Sequence, residues 1–257
     1  MTDDGGIAAP ATASTLVPVL ACEGLAVRYG RAPVVEDVSF AVPRGCVYGL
    51  LGRNGAGKSS IVRCLAGQLR PSAGRALLLG ADAWMERARL MARVGLVPEE
   101  PDAPPELSPA RLVALVARLH AVWDAAGALA RLRRFAVPLD TPFHRLSKGQ
   151  KGATMLTIAL GHSPELLILD DPTLGLDVVA RDAVFGEVIG ELADRGTTIL
   201  VTTHDLAAIE GIADRIGILH EGRLVIDEPT ESVKERFARP LERIFAEVTS
   251  APAGGPA

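Results

Sequence analysis

One eight-residue segment narrows the folds open to this chain. Gly52-Arg53-Asn54-Gly55-Ala56-Gly57-Lys58-Ser59 fits the pattern G-x-x-x-x-G-K-[ST] at every fixed position. It follows a short apolar run at residues 46–51 and opens a stretch with helical spacing at 58–69. A strand, a glycine-rich turn and a helix start in that order point backbone N–H groups inward around an anion. The helix N-terminus adds its positive end. Gly52, Asn54, Gly55, Ala56, Gly57 and Ser60 would form the cradle. Lys58 can reach the β- and γ-phosphates of a nucleotide, and Ser59 can ligate Mg²⁺. An α/β core with a strand ending at this turn is therefore required.

The rest of the pattern agrees. From residue 19 to 42 apolar residues alternate, as in antiparallel strands. Strands are predicted at 76–79 and 94–97. Residues 99–109 are acidic, carry four prolines and read as a loop. Residues 112–135 have helical spacing and read as two helices of an inserted helical subdomain, about 100–162. Residues 166–169 and 198–203 are solidly apolar or β-branched, as buried parallel strands are. A hairpin is predicted over 216–226 with its turn at His220-Glu221-Gly222, and one final helix over 231–248. The tails, 1–17 and 249–257, are rich in small residues and proline and read as disordered, leaving one domain over 18–248.

Composition excludes other classes. Of 257 residues, 31 are acidic and 27 basic, a net charge of −4, which argues against direct binding to nucleic acid. Cys22, Cys46 and Cys64 have neither metal spacing nor the look of a disulfide framework and read as buried small residues. No apolar run approaches the ~18 residues of a membrane-spanning helix. Asp3 and Asp4 replace the basic start of a signal peptide. A cytoplasmic chain is the expectation. His120, His144, His162 and His220 are read as structural.

Further motifs name a reaction. Leu146-Ser147-Lys148-Gly149-Gln150 is close to LSGGQ, the signature of ATP-binding cassette (ABC) ATPases. Residues 166–171 resemble that family's Walker B strand and 172–177 its D-loop. Thr203-His204-Asp205 is similar to its switch-histidine segment, and Tyr29 stands 52 − 29 = 23 residues before Gly52, where the family has an adenine-stacking aromatic. The resemblance spans about residues 19–227. It implies a P-loop NTPase (RecA-like) core with a mostly parallel sheet, an N-terminal antiparallel β subdomain and an inserted α-helical subdomain. It implies ATP and Mg²⁺ as ligands, the metal held by Ser59, Asp170 and Glu99. Asp171, His204 and Glu99 would be catalytic. Ser147, Lys148, Gly149 and Gln150 would face the γ-phosphate held by a second cassette, so a homo- or heterodimer is expected. A separate integral membrane permease would complete the machine, with this subunit peripheral on the cytoplasmic face of the membrane.

Two positions depart from the family pattern. Asp171 replaces the usual Glu, a carboxylate one methylene shorter. A misplacement of about 1 Å can cost about 10²-fold in rate, so slow hydrolysis is expected. Glu99 replaces the usual Gln in Val97-Pro98-Glu99. Similar P-E-E segments occur in cassettes of drug, peptide and ion exporters, so export is the expected direction. The alternatives are a soluble ABC ATPase outside transport and a regulatory ATP-binding module with weak hydrolysis.

Overall fold

The computed structural model of the chain describes residues 17–172, 184–187, 189–190, 195–204, 209–237 and 241–250. Its centre is β3 (Val47–Gly52), buried at every residue. A strand with no polar face needs cover on both sides, which parallel sheets have. Accordingly β3 pairs in parallel with β8 (Thr198–Thr203) and with β9 (Arg215–His220). β7 (Leu166–Asp170) and β6 (Val94–Val97) continue the parallel array beyond β8. β10 (Arg223–Pro229) closes the other edge as the antiparallel arm of a hairpin with β9. The order is β10-β9-β3-β8-β7-β6. The register sets Leu51 beside Thr203 and Asp170 beside Thr202. The carboxyl ends of β3, β8 and β7 therefore open at one place, outside the strand ends, where α/β sheets bind ligands.

The second sheet has the order β2-β1-β4-β5, from β1 (Leu20–Tyr29), β2 (Ala32–Val42), β4 (Ala73–Leu78) and the short β5 (Ala81–Asp82), and is antiparallel. Its alternating residues Leu20, Leu25 and Val38 are fully buried, with Phe40 at 5 % exposure. Phe40 stacks on Tyr48 of β3 with ring centroids 5.0 Å apart, which joins the two sheets in one core. The Tyr48 hydroxyl donates to Asp227 Oδ1 at 3.1 Å, so the buried phenol keeps a partner. The three cysteines are buried and free, and burial pushes the Cys46 and Cys64 thiols up to about 11.

Two helices, α1 (Lys58–Leu65) and the short α2 (Arg87–Met91), come before β6, and between β6 and β7 lies the expected helical insertion. α3 (Pro109–Ala117), α4 (Ala125–Arg134), a 3₁₀ turn (Phe143–Arg145) and α5 (Lys148–Leu160) enclose Leu112, Val113, Leu132, Phe143 and Leu146. Pro109, read as the end of the loop, is instead the first residue of α3, where a missing N–H costs nothing. α5 serves two cores. Ala153 packs within the helical insertion, whereas Leu156, Ala159 and Leu160 belong to the cluster under the main sheet. The insertion thus has no clean end at 162. Arg131 on α4 bonds Glu187 at 2.7 Å, and Arg134 bonds the same carboxylate. Against the burial that would raise it, these two guanidinium groups hold the Glu187 carboxyl below the usual range.

Of the stretch expected as one helix over 231–248, Thr230–Phe237 and Leu241–Ser250 are helices, and residues 238–240 lie outside the described residues. The second helix runs through Thr249 and Ser250, residues assigned to the tail. Thr249 is buried and its hydroxyl donates to the Phe245 carbonyl at 2.7 Å. Residues 1–16 and 251–257 lie outside the described residues. Among the described residues no helix is long and apolar enough to cross a membrane.

The joint between α5 and the insertion is aromatic. Trp123 lies against Gly161, where an added Cβ would stand 2.5 Å from the indole ring. The His162 ring stacks on His120 at 4.4 Å. Burial, and then the neighbouring His120, pull the His162 pKa down to about 4 from an ordinary 6.5. The folded state therefore prefers neutral His162. The stability linked to it is whole above pH 6.5 and is lost as pH falls from 6.5 towards 4. The melting temperature should fall across that window, and His162→Asn should flatten the fall. An unchanged pH slope in the variant would count against this account.

Candidate functional site

The phosphate-binding turn connects β3 to α1 (Lys58–Leu65). Gly57 has φ 109°, and a Cβ there would meet the Val34 carbonyl oxygen and Val35 Cγ2, each at 2.9 Å. Glycine is required on both counts, conformation and space. The turn is tied at Ala56, whose N–H donates to the Arg53 carbonyl at 3.1 Å and whose carbonyl accepts from Gly222 N–H at 3.2 Å. No side chain caps the start of α1, and its first turn holds no acid. Its leading N–H groups are thus left for an anion. Lys58 is 7 % exposed, with Nζ donating to the Gly52 carbonyl at 2.7 Å. Burial pulls its pKa down, against the opposing pull of Asp171, Asp170 and Glu99.

Three acids from two other strand ends face this lysine. Asp170 ends β7 and is 6 % exposed; Asp171 follows it at 5 %. Glu99 comes from the segment just after β6. Ser59 Oγ stands 3.4 Å from both Glu99 Oε2 and Asp170 Oδ1. Ser59, Asp170 and Glu99 are therefore an all-oxygen set on one side of the turn, the donor type that Mg²⁺ takes. Among the described residues no group of three or more His, Cys, Asp or Glu side chains could hold a metal alone. That suits Mg²⁺, which is commonly held by one or two carboxylates plus substrate phosphates.

Asp171 has a left-handed backbone, φ 44°, which Asp adopts more readily than most residues. Its Oδ2 lies 2.7 Å from His204 Nδ1, while Oδ1 is buried without a hydrogen-bond partner. An orphaned carboxylate oxygen is costly unless a ligand or water completes it. The pocket at this end of the sheet is lined by the turn, by Glu99 and by both aspartates, and also by Val34, which no motif marks. Tyr29 does not line this pocket; it is 45 % exposed, with its hydroxyl 3.4 Å from Ser60 Oγ, which does.

The signature segment is elsewhere. Ser147 caps α5: its Oγ accepts from Gln150 N–H at 3.2 Å, and Gln150 Oε1 accepts from Ser147 N–H at 3.1 Å. This is a capping box, S-x-x-Q, a spacing the sequence already carries. None of residues 147–150 lines the pocket. The second missed residue is Thr202, whose hydroxyl contacts Asp170 and Asp171. A polar residue in an apolar run was the available signal. Residues 173–177 of the D-loop segment, and Asp205, lie outside the described residues.

A parallel sheet, a glycine turn with a buried lysine, adjoining strand-end carboxylates and an inserted helical subdomain together define a P-loop ATPase of the cassette type. The comparisons agree. A family model described as "ABC transporter" matches residues 35–174. The Nod factor export ATP-binding protein I of Ralstonia nicotianae is 32 % identical over 90 % of this chain and 73 % of its own. The bacitracin transport ATP-binding protein BcrA of Bacillus licheniformis is 31 % identical over 83 % and 71 %. A solved ATP-binding subunit of an ABC transporter superposes with a TM-score of 0.81 at 30 % identity, over 90 % of this chain and 99 % of the other. The chain belongs to the ABC transporter family, as an ATP-binding subunit with ATPase activity.

Lys58→Met removes the one buried cation of the turn. A hydrogen bond to a charged group contributes about 1.5–3 kcal/mol, so ATP affinity should fall about 10- to 100-fold. Titration with a fluorescent ATP analogue measures it. Tyr29→Ala should weaken binding less, and Tyr29→Trp should retain it.

Proposed function

We propose that this subunit hydrolyses ATP to drive an export system whose membrane-spanning subunits are separate chains. The Asp171–His204 contact, with Asp171 Oδ1 buried and unpartnered, carries the hydrolytic part. Asp171 accepts a hydrogen bond from the attacking water and draws it into line with the γ-phosphate. His204, held at Nδ1, has Nε2 left to contact that phosphate. Lys58 and the N–H groups at the start of α1 offset charge on the phosphate oxygens. Ser59 and Asp170, with Glu99, would hold Mg²⁺, which would supply further charge compensation for the phosphates.

Lys148, Gly149 and Gln150, with Ser147, start α5 and do not line the pocket of their own chain. A second cassette, identical or not, would bring its own copy of that segment over this nucleotide, so that two ATPs lie at a dimer interface. Binding closes the dimer, and hydrolysis reopens it. The relatives' names, Nod factor export and bacitracin transport, support the export direction. The working place is the cytoplasmic face of the membrane, at an integral membrane permease.

Asp171→Asn should abolish turnover while ATP still binds. Asp171→Glu restores the longer arm and should raise kcat several-fold. At φ 44° the added methylene should also lower the melting temperature, because Glu tolerates that backbone less well. A Glu variant no faster than the native chain would refute the short-arm explanation of slow hydrolysis. Co-purification from the native membrane with a multi-spanning protein tests the transport role. Turnover dependent on DNA or ribosomes, with no membrane partner, would move the subunit to the soluble ATPases. ATP binding with no turnover in any assembly would make it a regulatory module.

A further inference from the structure

A buried hydroxyl stands between the two aspartates and the strand that carries His204. Thr202 is 0 % exposed on β8 and lies beside Asp170 in the sheet register. Its Oγ1 is 2.5 Å from Asp170 Oδ1 and 3.1 Å from the Asp171 backbone nitrogen. The Thr202 carbonyl oxygen accepts the same N–H at 3.0 Å. A hydroxyl has one proton, an ionised carboxylate can only accept, and a backbone N–H can only donate. The polarity is therefore settled: Oγ1 donates to Asp170 and accepts from Asp171.

We infer that Thr202 is a positioning residue of the hydrolytic site, setting the metal-side carboxylate and the water-side carboxylate through one hydroxyl. The inference rests on the reading of Asp170 as a metal holder and Asp171 as the group that orients water. The terminal torsion of an aspartate is soft, so a strand end alone does not aim its oxygens. Ser59, at 3.4 Å, is too distant to aim Asp170. The 2.5 Å bond fixes Oδ1, and with it the direction left to Oδ2. The same Oγ1 and the Thr202 carbonyl share the N–H of Asp171, which restrains the peptide plane that leads into that residue. From there Asp171 Oδ2 reaches His204 Nδ1 at 2.7 Å, two residues beyond Thr202 in the chain. Moving the hydroxyl would disturb the metal and the water together.

The test compares Thr202→Val, which deletes the hydroxyl at similar size, with Thr202→Ser, which keeps it. The full chain is titrated with Mn²⁺ in the presence of ATP, and bound metal is read by electron paramagnetic resonance. A lost hydrogen bond to a carboxylate corresponds to about tenfold or more. Thr202→Val should raise the Mn²⁺ half-saturation by about that factor and lower turnover at least as much. Metal-free ATP binding should stay within about twofold, since the turn is untouched. Thr202→Ser should restore both values to within about threefold of native. A Val variant with a lower melting temperature but native half-saturation would show a merely structural role and overturn the inference. If the Val variant does not fold, Thr202→Cys, a weak donor, should show a smaller rise, and a native value there would overturn it too. Asp170→Asn separates the two levels. If it leaves the half-saturation unchanged, the metal reading fails and Thr202 with it. If it raises the half-saturation and Thr202→Val does not, only the inference about Thr202 fails.

Discussion

Burying Lys58, Asp170 and Asp171 together at one end of a parallel sheet is the constraint on which the rest of this structure depends. Each is under a tenth exposed. A buried charge is tolerated only when paired and hydrogen-bonded. Lys58 finds the carbonyls of its own turn, Asp170 finds the Thr202 hydroxyl, and the Asp171 carboxylate finds His204 while its backbone N–H donates to Thr202 Oγ1 and the Thr202 carbonyl. One oxygen, Asp171 Oδ1, is left over. Three strands must end in register for that arrangement, which explains why β3, β7 and β8 are buried along their whole lengths.

The helical insertion is attached to this centre at both ends. Its entry follows Glu99, which is within reach of Ser59, and its exit is α5, which packs on the main sheet before β7 delivers Asp170. The Arg131–Glu187 pair and the Trp123–Gly161 contact add two further ties. A shift of the insertion would therefore be felt at Glu99 on one side and along α5 on the other. This is a physical route by which an event at the outer surface of the insertion could reach the nucleotide.

Much was legible in advance because it depends on short-range chemistry. The G-x-x-x-x-G-K-S spacing needs only local geometry to become an anion cradle, and β6 and β8 have the bounds their apolar runs suggested. The S-x-x-Q spacing at 147–150 likewise needs only local geometry to close a capping box at the start of α5. The end of the insertion is not legible in the sequence, because a helix whose two halves bury against different cores gives one continuous periodic pattern.

By itself, the sequence determined the family, the phosphate turn, the strand-end carboxylates and the order of the elements. These follow from residue type and spacing along the chain. Only the tertiary structure decided which side chains meet across it. It placed Thr202 on both aspartates, turned Asp171 towards His204, set Tyr29 against Ser60 and kept residues 147–150 away from their own pocket. The reason is physical: these contacts depend on strand order and register, and β3, β8 and β7 are neighbours in space while far apart in sequence.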